Sequence, residues 1–367
     1  MAYTTINTPT DYHNSITWTA DDTSPRTFTG FTCQPDLLLG RHRNSGSLNY
    51  NLVDSSRGGS ANITPDTTAG EDNGSHGIIS SFNSNGITVT NGNNATYPRL
   101  YYNEYDPFGA NAGEYVYHYW NVNNGTTSSN TDGNITSTVQ VNTTAGVSII
   151  TYTGTGSSGN TVGHGLGSAP KMTIIKQRNT GNGWNVWHYG NNSGDPDSFG
   201  ELNGNAAWYQ NQGVDGPFTT VPSSSVLTLT GYGQVNASGG TYLGLCFSEI
   251  KGYSKFGTYI GNGSTDGAFV YTGFKPAWLM IKNVGASGSW QVRDVARSPY
   301  NLSTNRLWLD SASAESTTTT DTLDILSNGF KMRNNVAGNN GSGNTYVYAA
   351  FAQHPFVSSA GTPVTAR

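Results

Sequence analysis

The stretch that decides the fold is P-K-M-T-I-I-K-Q-R at residues 170–178, a proline followed at once by an apolar strand pattern. Two other stretches repeat it: P-D-L-L-L-G-R-H-R at residues 35–43 and P-A-W-L-M-I-K-N-V at residues 276–284. Self-similarity of this kind indicates repeated structural units, which set the fold before any single motif does.

Aromatic residues flank each of these strands at matched distances. Each copy opens on an aromatic residue 17 or 18 positions before its proline, and a second aromatic residue follows the proline by 14 or 15 positions. A third one begins the closing strand, in Y-V-Y-H-Y-W, Y-L-G-L-C-F and Y-V-Y-A-A-F. The twelve repeat positions that we predict to lie in the core are Trp18, Pro35, Tyr50, Tyr115, Tyr152, Pro170, Trp184, Tyr242, Tyr259, Pro276, Trp290 and Tyr346.

Strand signals fill the rest of the chain. Short runs rich in Val, Ile, Thr and Tyr follow Asn-Gly and Ser-Gly pairs, as in S-N-G-I-T-V-T-N-G at residues 84–92 and S-N-G-F-K-M-R at residues 327–333. This pattern is typical of antiparallel strands joined by tight turns. Only residues 313–326 suggest a helix, of one or two turns. We therefore predict an all-β fold of three tandem β-sandwich domains, jelly-roll-like or immunoglobulin-like, with a short N-terminal arm.

The repeat also predicts the domain boundaries. We expect an N-terminal attachment arm at residues 1–14 and β-sandwich repeats at residues 15–130, 131–255 and 256–367. Residues 121–130, N-V-N-N-G-T-T-S-S-N, have the composition of a linker. Aromatic residues at the second boundary predict that the second and third repeats dock against each other. Repeated β units are expected to stack into an extended body.

Composition narrows the function classes. Charged residues make up 11% of the chain, against about 25% in an ordinary soluble protein, while 8 Trp, 21 Tyr and 13 Phe residues argue against disorder. The net charge of −5, without clustered Lys and Arg, argues against a nucleic-acid partner. We also expect no membrane span, since no apolar run is long enough, and synthesis in a cytoplasm without a signal peptide. Cys33 and Cys246 hold non-equivalent positions, which predicts two separate thiols.

Signals for catalysis or metal binding are weak. The seven histidines occupy unrelated repeat positions, and no pair has metal-ligand spacing. Two carboxylate pairs, Glu71 with Asp72 and Asp195 with Asp197, are candidates for the acid and base of a glycoside hydrolase, but their loop-like surroundings favour solvated side chains. We predict no catalytic residue, no metal and no cofactor.

Two sets of aromatic or apolar residues stand outside the repeat. Trp208, in N-A-A-W-Y-Q, has no visible repeat counterpart, which makes it the candidate for an exposed contact with a glycan. Tyr3, Ile6 and Tyr12 precede any domain that could bury them, and we predict that they anchor the chain in an assembly.

Several stretches closely resemble virion structural proteins of tailed bacteriophages, of the kind common in marine phages of cyanobacteria and other bacteria. They are M-A-Y-T-T-I-N-T-P-T-D-Y at the start, T-D-G-N-I-T-S-T-V-Q-V-N at residues 131–142 with the sequence that follows to residue 172, F-G-T-Y-I-G-N-G-S-T-D-G-A-F-V-Y-T-G-F-K-P-A-W-L-M-I-K at residues 256–282, and N-T-Y-V-Y-A-A-F-A-Q-H-P-F at residues 344–356. The first repeat differs, because Q-P-D-L-L-L-G-R-H-R at residues 34–43 stands where relatives read Q-P-D-hydrophobic-W-I-K-x-R.

The resemblance implies a non-enzymatic structural protein on the particle surface, as a tail fibre, another appendage or a head decoration. It implies partners among other virion proteins. We also expect a homo-oligomer, with a trimer favoured, because closed symmetric assembly is the common route to surface appendages. An alternative is a glycan-binding adhesin that recognises host surface polysaccharide, and a more remote one is a polysaccharide depolymerase.

Overall fold

Short strands dominate the computed structural model, which describes residues 3–104 and 113–363. The first part of the chain forms β1 (His13–Thr19), β2 (Arg26–Thr29), β3 (Leu37–His42), β4 (Asn51–Asp54), β5 (Ala61–Asn62), β6 (Asp72–Asn73), β7 (Ile78–Asn83), β8 (Gly86–Thr90) and β9 (Glu114–Trp120). The second part forms β10 (Ser128–Asn130), β11 (Ser137–Asn142), β12 (Val147–Thr153), β13 (Thr161–Gly163), β14 (Met172–Gln177), β15 (Trp184–His188), β16 (Gly200–Glu201), β17 (Phe218–Thr220), β18 (Val226–Leu229) and β19 (Thr241–Phe247). The third part forms β20 (Ser254–Ile260), β21 (Phe269–Tyr271), β22 (Phe274–Asn283), β23 (Gln291–Asp294), β24 (Asn305–Trp308), β25 (Ser316–Thr317), β26 (Leu323–Leu326), β27 (Gly329–Met332) and β28 (Thr345–Pro355).

Helical structure in the described ranges is limited to single turns. They are the α-helical turn Gly233–Asn236 and the 3-10 turns Pro9–Asp11, Asn123–Gly125, Asn191–Gly194 and Gly213–Asp215. Residues 313–326 contain β25 and β26, so the expectation of a helical turn there is wrong. The prediction of an all-β fold is confirmed.

Three large antiparallel sheets share one strand order. Their common strands run β1-β9-β3-β4, β12-β19-β14-β15 and β20-β28-β22-β23. In each case the closing aromatic strand lies between the opening strand and the proline-led strand. The second sheet gains β10, β11 and β16 at its edges, and the third gains β24 and β25. We call these sheets, with the segments between their strands, the first, second and third units.

A small three-stranded sheet covers one face of each large sheet. The small sheets are β2-β8-β7, β13-β18-β17 and β21-β27-β26, again in one order. An apolar core lies between the two layers of each unit. Each unit is therefore a two-layer β-sandwich. The domain boundaries stay a prediction, with one visible difference: β10 pairs with β11 and occupies the end of the expected linker at residues 121–130.

The first and last aromatic landmarks of each unit lie side by side. In register across neighbouring strands are Trp18 with Tyr115, Tyr152 with Tyr242, and Tyr259 with Tyr346. Their ring centroids are 6.0, 5.0 and 5.0 Å apart, and all are buried except Trp18, which is half-buried. The Tyr242 hydroxyl also donates to the Gly233 carbonyl at 2.7 Å and accepts from the Ala237 amide at 2.6 Å. Tyr115 and Tyr346 make the same two kinds of bond.

The other faces of the three large sheets meet in a single central core. Trp120, Phe247 and Phe351 hold the same position near the end of the closing strand, and their ring centroids are 5.5 to 6.5 Å from one another. Three equivalent rings in mutual contact define a pseudo-threefold axis. A small apolar cavity of about 40 Å³ beside them is lined from all three units, and an apolar cavity of this kind stays dry.

Alternation along the proline-led strands assigns their side chains to the two cores. In β14, Met172 and Ile174 point into the central core, whereas Ile175 lies in the core of its own unit. In β22, Trp278 and Met280 likewise point into the central core, whereas Leu279 lies in the core of the third unit. Because both faces are buried, these strands have an almost continuous apolar sequence. The expected extended stack of units is therefore wrong: the third unit packs on the first as well as on the second.

A truncation in the central core tests this shared packing. Phe351→Ala should lower the free energy of unfolding by about 3–5 kcal/mol, and the chain should still unfold in one calorimetric transition because all three units contain part of that core. Tyr300→Ala is the control, since Tyr300 is 80% exposed and its loss should change stability little. Separate transitions, with only one of them shifted by Phe351→Ala, would contradict the shared core.

Candidate functional site

A buried cation lies at the same place in each unit, six residues after its proline. The three are Arg41, Lys176 and Lys282, none more than 1% exposed. Each donates to backbone carbonyls of a loop that comes from another unit. We define these as the junction loops: residues 64–71 of the first unit, 202–208 of the second and 310–315 of the third.

Lysine Nζ atoms bind two of the junction loops. Lys176 donates to the Thr68 carbonyl at 3.0 Å, and Lys282 donates to the Ala206 carbonyl at 2.8 Å. Burial lowers the pKa of Lys176 to about 8, and it lowers the pKa of Lys282 to about 8 against the charge of Asp310. Arg41 completes the ring, because its guanidinium donates to the Ser313 carbonyl at 2.6 Å. The first unit therefore contacts the second, the second contacts the third, and the third contacts the first, so that the three units form a closed ring.

One backbone hydrogen bond repeats at every junction. The amide of Glu71 donates to the Arg178 carbonyl at 2.8 Å, that of Trp208 to the Val284 carbonyl at 3.0 Å, and that of Glu315 to the Arg43 carbonyl at 2.7 Å. The acceptors are equivalent positions, eight residues after the three prolines. Three identical bonds between successive units make the ring closed and cyclic.

Each junction loop also begins in the same way. A side-chain oxygen accepts a hydrogen bond from the amide of the second aromatic landmark, in the pairs Asp66 with Tyr50, Asn203 with Trp184, and Asp310 with Trp290. The three landmark rings are buried in the central core. In two of them the indole Nε1 donates across the junction: Trp184 to the Thr67 carbonyl at 3.1 Å, and Trp290 to the Glu201 carbonyl at 2.9 Å.

Two junctions are ionic. Glu315 pairs with Arg43 of the first unit at 2.8 Å and with Arg297 at 2.8 Å, and Arg297 also binds Asp294. Burial alone would raise the pKa of Glu315, but hydrogen bonds and the charges of Arg43 and Arg297 outweigh burial and lower the pKa to about 2. The carboxylate is therefore ionised and held between two guanidinium groups.

The second ionic junction repeats the first. Glu71 pairs with Arg178 of the second unit at 2.8 Å and with Arg57 at 2.5 Å, and Arg57 also binds Asp54. Burial opposes ionisation of Glu71, yet Arg178 and Arg57 lower its pKa. Arg57 and Arg297 follow their aspartates by three residues in both networks.

The third junction has Trp208 in place of the glutamate of the other two. Its indole is only 5% exposed and lies against Trp290, with ring centroids 6.0 Å apart. Its amide bond makes it the counterpart of Glu71 and Glu315. The prediction of Trp208 as an exposed glycan contact is therefore wrong, because the side chain fills the space that an ion pair occupies at the other two junctions.

The N-terminal arm is docked on its own chain. Ile6 is 2% exposed and belongs to the central core. Tyr12 is half-buried against Tyr253 at a centroid distance of 6.0 Å, and the Tyr3 hydroxyl donates to the Gly273 carbonyl at 2.9 Å. The expectation that nothing in the chain buries these residues is wrong, since the fold brings the third unit back to the N-terminus.

The candidate carboxylates of a hydrolase have structural partners. Glu71 belongs to a junction. Asp72 accepts from the Ser75 hydroxyl at 2.6 Å, Asp195 accepts from the Ser198 hydroxyl at 2.7 Å, and Asp197 accepts from the Gly213 amide at 2.6 Å. Such bonds order their loops. In the described part of the chain, no group of three or more His, Cys, Asp or Glu side chains is arranged to hold a metal ion.

Several other predicted features have a definite place. Cys33 and Cys246 are buried free thiols, and burial raises the pKa of each to about 12. Within residues 3–104 and 113–363, no helix is long and apolar enough to cross a membrane. The repeat prolines Pro35, Pro170 and Pro276 are all buried beside the closing strand.

The chain matches one family model over residues 8–355, described as a domain of unknown function, DUF7483. It belongs to the DUF7483 family. The match includes all three units and residues 8–14 of the arm, as expected if the three units form one structural entity. No curated protein and no solved structure matches the chain.

Charge removal at an ionic junction gives a second prediction. Glu315→Gln should lower the free energy of unfolding by about 3–5 kcal/mol, because it leaves Arg297 buried without its full complement of charge. The control is Asp266→Asn, which removes an exposed partner of Lys331 and should leave stability nearly unchanged. Equal effects of the two substitutions in urea denaturation would contradict the assignment of Glu315 to the ring.

Three of the five buried histidines in the described ranges predict an acid limit. Burial lowers the pKa of His13 to about 3 and that of His118 and His188 to about 4. The unfolded chain binds these protons below pH 6.5 and the native chain does not, so stability falls as the pH drops from 6.5 towards 4. Each histidine should contribute about 1.4 kcal/mol per pH unit.

Urea denaturation between pH 6.5 and 4.5 measures this slope. His188→Gln keeps a donor for the Tyr348 carbonyl, which His188 Nε2 contacts at 3.1 Å, and it should remove about one third of the combined contribution of His13, His118 and His188. A stability that stays constant over this range would show that the three rings are protonated in the folded chain.

Proposed function

We propose that this chain is a non-enzymatic structural protein of a tailed-phage particle, displayed on the particle surface. The observation that carries the proposal is the cyclic closure of three equivalent sandwiches within one chain. The resemblance to virion proteins supports a place in a phage particle, and the closed ring of three units gives the stable body that a surface component needs.

Ring closure makes the body resistant to local opening. The proline-led and closing strands of each large sheet are largely buried on both faces, so no unit can move away without exposing apolar surface of the other two. Many of the few charged side chains lie inside the junctions, while much of the polar exterior consists of Thr, Asn, Ser and Gly. Such a surface attracts few nonspecific partners and responds little to salt, which suits a component exposed to seawater or a host medium.

Homotrimer formation stays a prediction, and the ring offers an alternative to it. Threefold packing normally requires three chains, but here the three units that meet on the axis belong to one. The proposed partners are other virion proteins. We propose no nucleic-acid or membrane partner and no cofactor.

Of the two alternatives, the depolymerase has less support, because its candidate carboxylates are engaged in loop and junction bonds. The adhesin loses Trp208 as its contact residue. It requires a different surface, which is described in the next subsection.

Purified particles test the proposal directly. We expect mass spectrometry to detect the chain in particles after stringent washing, and immunogold electron microscopy to place it on the exterior. Light scattering of the isolated chain then distinguishes a 39.0 kDa monomer from a trimer of three times that mass. A chain that is expressed during infection but absent from washed particles would overturn the proposal.

A further inference from the structure

The three small sheets carry different residues at equivalent positions. In each small sheet, one strand precedes the proline-led strand in sequence: β2, β13 or β21. Its two outward positions are Thr27 and Thr29 in the first unit, Thr161 and Gly163 in the second, and Phe269 and Tyr271 in the third. These positions are equivalent because they pair with equivalent residues of the middle strand. Phe269 is 48% exposed and Tyr271 is 52% exposed. Since two units fold with Thr or Gly there, the sandwich does not require aromatic residues at these positions.

The same edge is covered in the second unit and open in the third. Ile135 forms a parallel bridge with Val162, and a side chain at Gly163 would collide with Asn130. In the third unit the Tyr271 side chain instead borders a cleft of about 170 Å³. The docked arm forms one wall of this cleft, and the segment that joins the second and third units forms another.

Polar groups surround the cleft. The Tyr271 hydroxyl lies 2.9 Å from the Tyr3 hydroxyl, which itself donates to the Gly273 carbonyl, so Tyr271 is the donor between the two rings. Lys251 is exposed, with its Nζ 4.8 Å from the centre of the Tyr3 ring. Glu249 pairs with Lys255 at 2.8 Å. The cleft thus combines an exposed aromatic face with an ammonium group, a carboxylate and hydroxyl groups.

The size of the exposed surface favours a small ligand over a protein partner. Two half-exposed aromatic side chains offer roughly 200 Å² of surface, whereas a stable protein interface needs about 800 Å² on each side. The cleft is also smaller than the roughly 300–1,000 Å³ of a site for a drug-sized molecule. A single sugar ring fits these limits, because it presents an apolar face to an aromatic side chain and hydroxyl groups to polar neighbours.

Local charge favours an anionic ligand. The chain carries a net charge of −5, yet two lysines and one glutamate line this cleft. Lys255 is paired to Glu249, so we assign the exposed Lys251 ammonium to an anionic ligand. A carboxylate or sulfate on a sugar would pair with it.

We propose that this cleft binds one anionic sugar residue of a polysaccharide. The Tyr271 ring packs against the face of the sugar, Phe269 contacts the neighbouring residue of the chain, and Lys251 binds the acidic group. Glu249 and the Tyr3 hydroxyl accept hydrogen bonds from sugar hydroxyls. The assignment does not depend on the chain being part of a particle.

Titration calorimetry and protein-observed NMR with three oligosaccharides of equal length test the site. The probes are oligogalacturonate, which carries carboxylates, a sulfated galactan oligomer and neutral maltohexaose. We expect binding of at least one acidic probe and at least tenfold weaker binding of the neutral one. The preferred acidic probe distinguishes carboxylate from sulfate.

Variants locate the binding. Tyr271→Thr introduces the residue type that the first unit has at this position, and it should weaken binding at least tenfold, about 1.4 kcal/mol. Lys251→Gln should remove most of the preference for an acidic probe over maltohexaose. Tyr300→Thr is the matched control, an exposed aromatic residue next to β26 at the opposite edge of the same small sheet, and it should bind normally.

Three outcomes would overturn the assignment. They are no binding of any acidic probe at millimolar concentration, equal binding by the Tyr271→Thr and parent proteins, or chemical-shift changes away from Tyr3, Lys251 and Tyr271. An unchanged melting temperature for Tyr271→Thr establishes that lost binding is not lost folding. Particle localisation is a separate experiment, so either proposal can fail without the other.

Discussion

Burial of both faces of three equivalent sheets around one axis is the constraint on which the rest of the structure depends. A β-sandwich usually buries one face of each sheet and exposes the other. Here the second face of each large sheet finds a partner only in the other two units, and Trp120, Phe247 and Phe351 meet where the three faces converge. The units are therefore parts of one folded body, although each resembles a complete sandwich in its strand order.

The junctions combine a common backbone with different side chains. The same amide-to-carbonyl bond is made at Glu71, Trp208 and Glu315, so the chain path is threefold. Side chains break that symmetry, because two junctions are ionic and one is aromatic. If the units closed in another order, a buried carboxylate would face an indole and not an arginine. Its charge would then be buried without compensation. We infer that the unequal side chains help to fix the cyclic order of the units.

The sequence predicted the components of the fold better than their arrangement. Aromatic and proline landmarks located the strands, and every one of the twelve predicted repeat positions except Trp18 is buried, because packing inside one sandwich imposes a local and periodic pattern. The sequence did not predict that the units close into a ring. An apolar strand such as residues 172–175 has the same sequence whether its second face packs on another sheet of its own unit or on a neighbouring unit. Trp208 was misplaced because its counterparts are glutamates. Its position five residues after Asn203, as Glu71 and Glu315 follow Asp66 and Asp310, was the available signal.

Native-state hydrogen exchange at the three junction amides tests the closed ring most directly. If the ring opens only when the whole chain unfolds, the amides of Glu71, Trp208 and Glu315 should exchange with one common free energy, equal to that of global unfolding. Exchange of any one of them at a much lower free energy, while the strand amides of its unit stay protected, would show that the units separate in the folded chain and would contradict the account.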